Sequence, residues 1–175
     1  MTQVDGSRLI GMQRTLASFG GREDGGVARE ALTATEREAR RWLIQQVSGP
    51  RYSWHVDAAA NLFLRRAGTD DSLPPVMTGS HIDTQPVGGW LDGAYGVIAG
   101  LEALLALDSA GIDTRHPIEL AIWTNEEGSA SVQVRWARVP SQSPRRWQPF
   151  WAAPMPAECA SRRSAMPPWR RHPKP

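Results

Sequence analysis

Two short stretches of this chain contain the side chains that a metal centre requires. The first spans Val76–Gly93 and reads VMTGSHIDTQPVGGWLDG, and the second spans Asn125–Ser129 and reads NEEGS. Together they supply one histidine, two aspartates and two adjacent glutamates. Imidazole and carboxylate groups bind Zn²⁺ and related ions, and a further carboxylate can act as a general base. The residue types therefore indicate a site that could hold a pair of metal ions beside a proton acceptor.

The spacing in the first stretch suits such a site. His81 and Asp83 are separated by one residue, so that the carboxylate can lie behind the imidazole and fix its tautomer. Gly88-Gly89 allows a sharp turn that brings Asp92 back towards His81. Because a carboxylate has two oxygens, Asp92 could bridge two metal ions.

The second stretch offers two neighbouring carboxylates with separable tasks. Glu126 and Glu127 can point in different directions, so that one binds metal while the other handles a proton. Taken singly, such residues have plainer explanations, since a lone histidine is usually a hydrogen-bonded structural residue and a Glu pair is usually solvated. The combination favours a metal site. Its metal stays open, because histidine with carboxylates suits Zn, Mn, Co or Ni.

Three helices are predicted from apolar residues that recur every three or four positions. The first lies within residues 1–20. The second begins at a capping box in which Thr33 caps the helix and Glu36 reaches back to it, and it ends at Gly49-Pro50. The third spans Val97–Leu107, and Gly111 caps it. The apolar positions are Leu9, Met12, Leu16 and Phe19, then Ala39, Leu43 and Val47, then Ile98, Leu101, Leu104, Leu105 and Leu107.

Four short segments are predicted as strands. Tyr52–Val56 and the segment that begins at Leu62 form an alternating pair around a turn. Val76–Gly79 reads as a short buried strand that runs into His81, and Ile118–Trp123 leads to the Glu pair. A strand, helix, strand order with polar residues at strand ends is typical of an α/β fold, in which sites lie beyond the carboxyl ends of the strands.

The composition changes sharply near residue 130. Residues 1–130 contain 11 arginines and 17 acidic residues, whereas residues 131–175 contain 8 arginines, one lysine and the single acid Glu158. The second segment also holds 9 of the 14 prolines and 4 of the 8 tryptophans, without a consistent apolar face. We predict a folded part over residues 1–130 and an aberrant, unfolded Pro/Arg/Trp-rich tail over residues 131–175.

Several other classes of protein are disfavoured. Cys159 is the only cysteine, which rules out an intramolecular disulfide. No apolar run approaches the roughly 18 residues that cross a membrane, and the N-terminus lacks a signal-peptide core, so that we expect a cytoplasmic protein without a membrane partner. The arginines and tryptophans of the tail could hold single-stranded nucleic acid. Their lack of pattern argues against it, and we expect no nucleic-acid partner.

Four segments resemble the zinc-dependent amidohydrolase branch of the dinuclear metallopeptidase superfamily. They read GGVAREALT, VDAAANLFLRR, GSHIDTQPVGGWLDGAYGVIAGLEAL and WTNEEGS. This branch includes N-carbamoyl-L-amino-acid hydrolases, β-ureidopropionases and allantoate amidohydrolases, and the DTQP wording is closer to the first two. The resemblance covers about residues 5–129. It implies an α/β fold that is the incomplete N-terminal portion of an aminopeptidase-like catalytic domain.

The resemblance also implies a role for each site residue. His81 would bind one metal ion, Asp92 would bridge two, and Glu127 would bind the second. Glu126 would be the general base, and Asp83 the partner of His81. Two divalent ions, zinc above all, would activate a water that attacks a ureido or amide carbon. An N-carbamoyl amino acid would then give the amino acid, ammonia and carbon dioxide.

The chain departs from this family after Ser129. The family has two further histidine ligands downstream and a separate domain used for dimerisation and substrate binding. Here the sequence continues SASVQVRWARVPSQ, and His55, His116 and His172 do not match the motif. Suitable codons for residues 129–142, read two bases later, can spell RFSPGAMGSRAF, which suits the family. We therefore interpret the tail as out of frame.

Such a fragment is expected to hold each ion with only about two protein ligands, to be poorly soluble and to lack turnover. The homodimer of the family would lack its dimerisation domain. The competing interpretation is a genuine short protein with its own tail. It would be a non-catalytic remnant that binds metal weakly or contacts a partner.

Overall fold

A computed structural model describes residues 3–130 as three helices and one four-stranded sheet. The predicted tail over residues 131–175, its shifted frame and Cys159 lie outside this range. None of the helices in the range is long and apolar enough to span a membrane. In chain order the elements are α1 (Gly6–Ser18), α2 (Ala34–Gln45), β1 (Tyr52–Val56), β2 (Leu62–Arg66), β3 (Val76–His81), α3 (Ala94–Ser109) and β4 (Ile118–Trp123).

The sheet has the strand order β1-β2-β4-β3. β1 and β2 form the predicted antiparallel pair, and β2 also runs antiparallel to β4. β3 and β4 are parallel, with His81 opposite Trp123, and α3 connects them. A parallel pair requires such a crossover. The α/β prediction is therefore confirmed, and the carboxyl ends of β3 and β4 lie at one edge of the sheet.

The core lies between the helices and one face of the sheet. The predicted apolar positions of α1 and α3, except the half-buried Leu107, are buried or packed against this core, and both helices are confirmed. α2 ends at Gln45, before the predicted Gly49-Pro50, although Val47 still packs against the core. The fully buried members of the core include Leu16, Ala39, Leu43, Leu62, Ile82, Val97, Ile98, Leu101, Leu104, Leu120 and Ile122.

α2 begins at the predicted cap, but the capping box closes differently. The Glu36 amide donates to Thr33 Oγ1 at 3.2 Å, as expected. The Glu36 carboxylate accepts from the Leu32 amide at 2.8 Å, whereas the Thr33 amide donates to the Glu30 carbonyl. The predicted return bond to Thr33 is thus wrong, because the backbone turns through a positive φ of 63° at Leu32 and presents that amide to the helix end.

The prediction that the strand over Val76–Gly79 is buried is wrong, because all four residues are exposed. Val76 is 57% exposed and Met77 is 50% exposed, and burial begins only at the carboxyl end, where His81 lies. These residues are exposed because β3 is an edge strand, which within the described range pairs with β4 alone. Apolar sequence cannot distinguish an edge strand from a central one.

A buried ion pair ties α2 to the chain that follows β4. Arg40 and Glu36 lie 2.6 Å apart, with side chains 2% and 0% exposed. Arg40 also donates to the Ala60 carbonyl at 2.6 Å and to Thr124 Oγ1 at 2.8 Å. Since Thr124 lies two residues before Glu126, this cluster supports the loop that carries the Glu pair.

Replacing Arg40 with methionine is expected to lower the free energy of unfolding by about 3–5 kcal/mol, because it leaves the Glu36 carboxylate buried without its partner. Urea denaturation at neutral pH measures the loss. The control is Arg51→Met, which removes a pair with Asp113 whose side chains are 41% and 57% exposed. Exposed pairs contribute about 0–1 kcal/mol. Equal losses in the two variants would contradict the assignment of Arg40.

Candidate metal centre

The predicted ligands lie together at the carboxyl edge of the parallel pair. His81 is the last residue of β3, Asp92 lies just before α3, and Glu127 lies in the loop after β4. One ligand atom from each of the three falls within 4.8 Å of the others, and residues 3–130 contain no second group of this kind. His81 is buried, Glu127 is half-buried and Asp92 is exposed. The group is therefore open to solvent on one side.

The backbone of Asp83 fixes the orientation of the His81 ring. Nδ1 lies 3.0 Å from the Asp83 carbonyl oxygen. A carbonyl can only accept, so Nδ1 carries the proton and Nε2 presents its lone pair to the ligand group. The Asp83 carboxylate, which the sequence suggested as the partner, lies farther away at 3.7 Å. The tautomer that a metal ligand needs is thus held mainly by main chain.

The Asp83 carboxylate is buried and joins the loop after β3 to the loop after β4, which we call the two site loops. Its Oδ2 accepts from the Glu127 amide at 3.2 Å, whereas Oδ1 has no hydrogen-bond partner among residues 3–130. Nearby, Arg29 is fully buried and its Nε donates to the Ile82 carbonyl at 2.7 Å. Burial lowers the pKa of Arg29 to about 10, and the charges of Glu36 and Asp83 oppose that shift. Arg29 therefore stays protonated at neutral pH and balances the buried carboxylate.

Gln85 makes a further connection between the loops. Its Nε2 donates to the Glu127 carbonyl at 2.7 Å and to Glu127 Oε2 at 3.1 Å. Ser129 Oγ also donates to the Thr84 carbonyl at 2.9 Å. In the sequence, Gln85 stands out only as part of DTQP, and Arg29 only as part of GGVAREALT. The contact of Gln85 with Glu127 and that of Arg29 with Ile82 were not predicted, because each joins residues far apart in the chain.

The Glu126 carboxylate is less restrained by hydrogen bonds than the Glu127 carboxylate. Its side chain is 56% exposed, and Oε2 lies 3.4 Å from His81 Nε2 without a hydrogen bond to the described residues. Asn125, immediately before it, has a positive φ of 58°. This turn, followed by the anchored Glu127, directs the two adjacent carboxylates differently. The arrangement has one hydrogen-bonded and one exposed carboxylate near the same imidazole.

Glycines allow the chain to pass close to His81, although not at the predicted position. The positive φ, 63°, belongs to Gly93, where a Cβ would lie 2.2 Å from His81 Nε2 and 2.4 Å from two ring carbons. The predicted turn residues Gly88-Gly89 have no positive φ. Gly88 is instead required by close approach, since a Cβ there would lie 2.8 Å from Thr84 Cβ. Asp92 still reaches the site, as expected.

The donor set fits a divalent cation. Imidazole nitrogen and carboxylate oxygen are accepted by Zn, Mn, Co and Ni. Zinc bonds of roughly 2.0–2.2 Å place ligand atoms about 3.4 Å apart. A group within 4.8 Å needs only small side-chain movements, and the exposed Asp92 and half-buried Glu127 can make them. Three ligands suit one ion, whereas two ions would need more.

Two further histidines lie among residues 3–130, and neither belongs to this ligand group. His55 on β1 stacks on Phe63 with ring centroids 4.8 Å apart. His116 lies in the loop before β4, with Nδ1 2.8 Å from the Pro74 carbonyl. His172 falls outside the described residues.

Comparisons with known proteins agree with this fold. Residues 77–143 match the model of peptidase family M20/M25/M40. The chain is 42% identical over 127 residues to an N-carbamoyl-L-amino-acid amidohydrolase of Rhizobium meliloti, covering 73% of this chain and 30% of that protein. It is 32% identical over 124 residues to a ureidoglycolate hydrolase of Arabidopsis thaliana, covering 71% and 26%. The chain thus spans about 30% of the length of the curated relatives it matches.

A solved structure gives the same result. The hydantoinase/carbamoylase family amidase from Burkholderia ambifaria is 46% identical, with a TM-score of 0.71, covering 74% of this chain and 32% of that one. The fold and the matches show that residues 3–130 are similar to part of the catalytic domain of M20-family amidases. Within that class, the chain is a homologue of the N-carbamoyl-L-amino-acid amidohydrolases, and the resemblance seen in the sequence is confirmed.

Proposed function

We propose that this chain forms part of a metal-dependent hydrolase of non-peptide C–N bonds, with an N-carbamoyl-L-amino acid or a related ureido compound as substrate. The observation that carries the proposal is the convergence of His81, Asp92 and Glu127 at the carboxyl edge of β3 and β4. The names of the relatives support the bond type, since they are amidohydrolases and ureidoglycolate hydrolases. The reaction would consume one water and yield the amino acid, ammonia and carbon dioxide.

In this proposal His81, Asp92 and Glu127 hold the cations. His81 offers Nε2, because its Nδ1 proton is held by the Asp83 carbonyl. Asp92 has two carboxylate oxygens, so that it would be the ligand shared by the two cations. Two divalent cations bound there would supply Lewis-acid activation of water at neutral pH and stabilise the negative charge that develops on the scissile group.

Glu126 is proposed as the general base. Its carboxylate is exposed, forms no hydrogen bond with the part of the chain that the structure describes, and lies 3.4 Å from His81 Nε2. It can take a proton from water at Oε2 and deliver it to the leaving nitrogen. Glu127 is less suited to that task, since its amide, carbonyl and carboxylate are each hydrogen-bonded to Asp83 or Gln85.

The three ligands among residues 3–130 fall short of the set that two ions require, which is about three protein ligands at each catalytic zinc. We therefore propose that the 175-residue chain by itself binds metal weakly and has no turnover. A non-catalytic remnant would also have too few metal ligands. An experiment must therefore distinguish part of a hydrolase from such a remnant.

The test is a chimera in which residues 1–129 replace the matching segment of the Rhizobium meliloti amidohydrolase. It is expected to release ammonia from an N-carbamoyl-L-amino acid, to lose this activity with a chelator and to regain it with Zn²⁺, Mn²⁺ or Co²⁺. The 175-residue chain, assayed in parallel, is expected to release none. A folded but inactive chimera would favour the remnant, and ammonia release by the 175-residue chain alone would overturn the proposal that it has no turnover.

A further inference from the structure

We propose that Gln85 is a positioning residue that sets the orientation of the Glu127 carboxylate for metal binding. This inference rests on the proposed function insofar as Glu127 is a ligand. It concerns a side chain outside the predicted ligand and base set, on the loop after β3 and 42 residues away from its partner.

The contact is a two-point clamp on one residue. The two hydrogens of the Gln85 amide go to the Glu127 carbonyl, at 2.7 Å, and to Glu127 Oε2, at 3.1 Å. Donating to the main chain and the side chain of the same residue fixes the carboxylate relative to its own backbone. The Glu127 amide is already held by Asp83 Oδ2 at 3.2 Å. Because the Glu127 backbone is held at its amide and its carbonyl, the bond from Gln85 to Oε2 restricts the rotamer of the Glu127 side chain.

The chemistry of an amide suits this task. A neutral N–H donor can orient a carboxylate without cancelling its charge, whereas lysine or arginine would compete with a cation. The contact occupies one direction at Oε2 and leaves the other acceptor sites of the carboxylate open. Packing does not explain the contact, because Gln85 is exposed. A side chain without a role in the core can therefore be changed without unfolding the chain.

Gln85→Met in the 175-residue chain tests the proposal. Methionine keeps the length of the side chain and removes both donors. In the metal-free chain, the ¹⁵N relaxation of the Glu127 and Gly128 amides is expected to show increased fast motion. Zn²⁺ affinity, measured by competition with a chromophoric chelator, is expected to fall about 10–100-fold, the range for partners that orient a metal ligand. The melting temperature is expected to stay unchanged.

Gln45→Met is the matched control, because Gln45 is also an exposed glutamine but lies on α2. It should change neither the relaxation nor the affinity. Unaltered relaxation and affinity in Gln85→Met would overturn the proposal, as would faster motion with wild-type affinity. His81→Ala distinguishes a failure of the proposed metal site from a failure of the role of Gln85. If His81→Ala leaves the zinc affinity unchanged, the proposed function is wrong. The ¹⁵N relaxation of the metal-free Gln85→Met chain still shows whether Gln85 holds Glu127.

Discussion

Glu126→Gln, introduced into the active chimera, is expected to lower kcat about 10²–10⁴-fold while the bound metal and KM stay close to those of the parent chimera. The amide has the same shape but cannot accept a proton, and general-base catalysis contributes an effect of this size. Because Glu126 is 56% exposed and forms no hydrogen bond within the described residues, its replacement removes little else. Steady-state ammonia release and metal analysis of the purified variant measure the two quantities.

Two companion variants make this result specific. Glu23→Gln changes an exposed acid in the turn after α1 and should leave both kcat and metal content unchanged. Glu127→Gln should instead lose metal, because that carboxylate belongs to the ligand group. If Glu126→Gln lost metal and Glu127→Gln lost only kcat, the roles of the two neighbours would be reversed.

Gly79→Ala is expected to prevent stable folding. Gly79 pairs with Ala121 across the parallel strands, and a Cβ at Gly79 would lie 1.9 Å from the Ala121 carbonyl oxygen and 2.8 Å from two further backbone atoms of that residue. Backbone cannot move aside as a flexible side chain can. β3 and β4 would have to separate, at a cost of more than about 4 kcal/mol. Thermal unfolding followed by circular dichroism measures the loss.

The control for this prediction is the same substitution at Gly11. That glycine lies inside α1, is exposed, and a Cβ there would have nothing within 4 Å. Alanine is favoured over glycine in a helix interior by about 0.5–1 kcal/mol. Gly11→Ala should therefore raise the melting temperature slightly. A Gly79→Ala chain that melts within a few degrees of the parent would refute the close strand contact.

The parts of the structure that follow local rules were predictable from the sequence. The helices follow the spacing of apolar residues, and the Thr33 cap follows from a side chain that hydrogen-bonds three residues ahead. The meeting of His81 and the Glu pair follows from the parallel arrangement of two strands joined by a helix. Each of these depends on neighbours in the chain or on one topological rule.

The remainder depends on contacts between distant segments. The exposure of Val76 reflects the place of β3 in the sheet, which no property of the strand itself encodes. The Nδ1 partner of His81 is a main-chain carbonyl, which has no residue-type signature. Arg29 and Gln85 were not predicted because a polar residue in a loop has many equivalent partners until the fold selects one.

The bonds between the two site loops have an entropic consequence. Asp83 and Gln85 on one side and Glu127 on the other are already joined without a ligand. Ordering an exposed side chain upon binding costs about 0.5–1.5 kcal/mol. A ligand that reaches this edge therefore has to immobilise mainly Asp92 and Glu126, since folding has already confined the rest. His81 and Ser129 are separated by 47 residues. The conformational entropy of that segment is lost during folding, when β3 and β4 pair, and not during ligand binding.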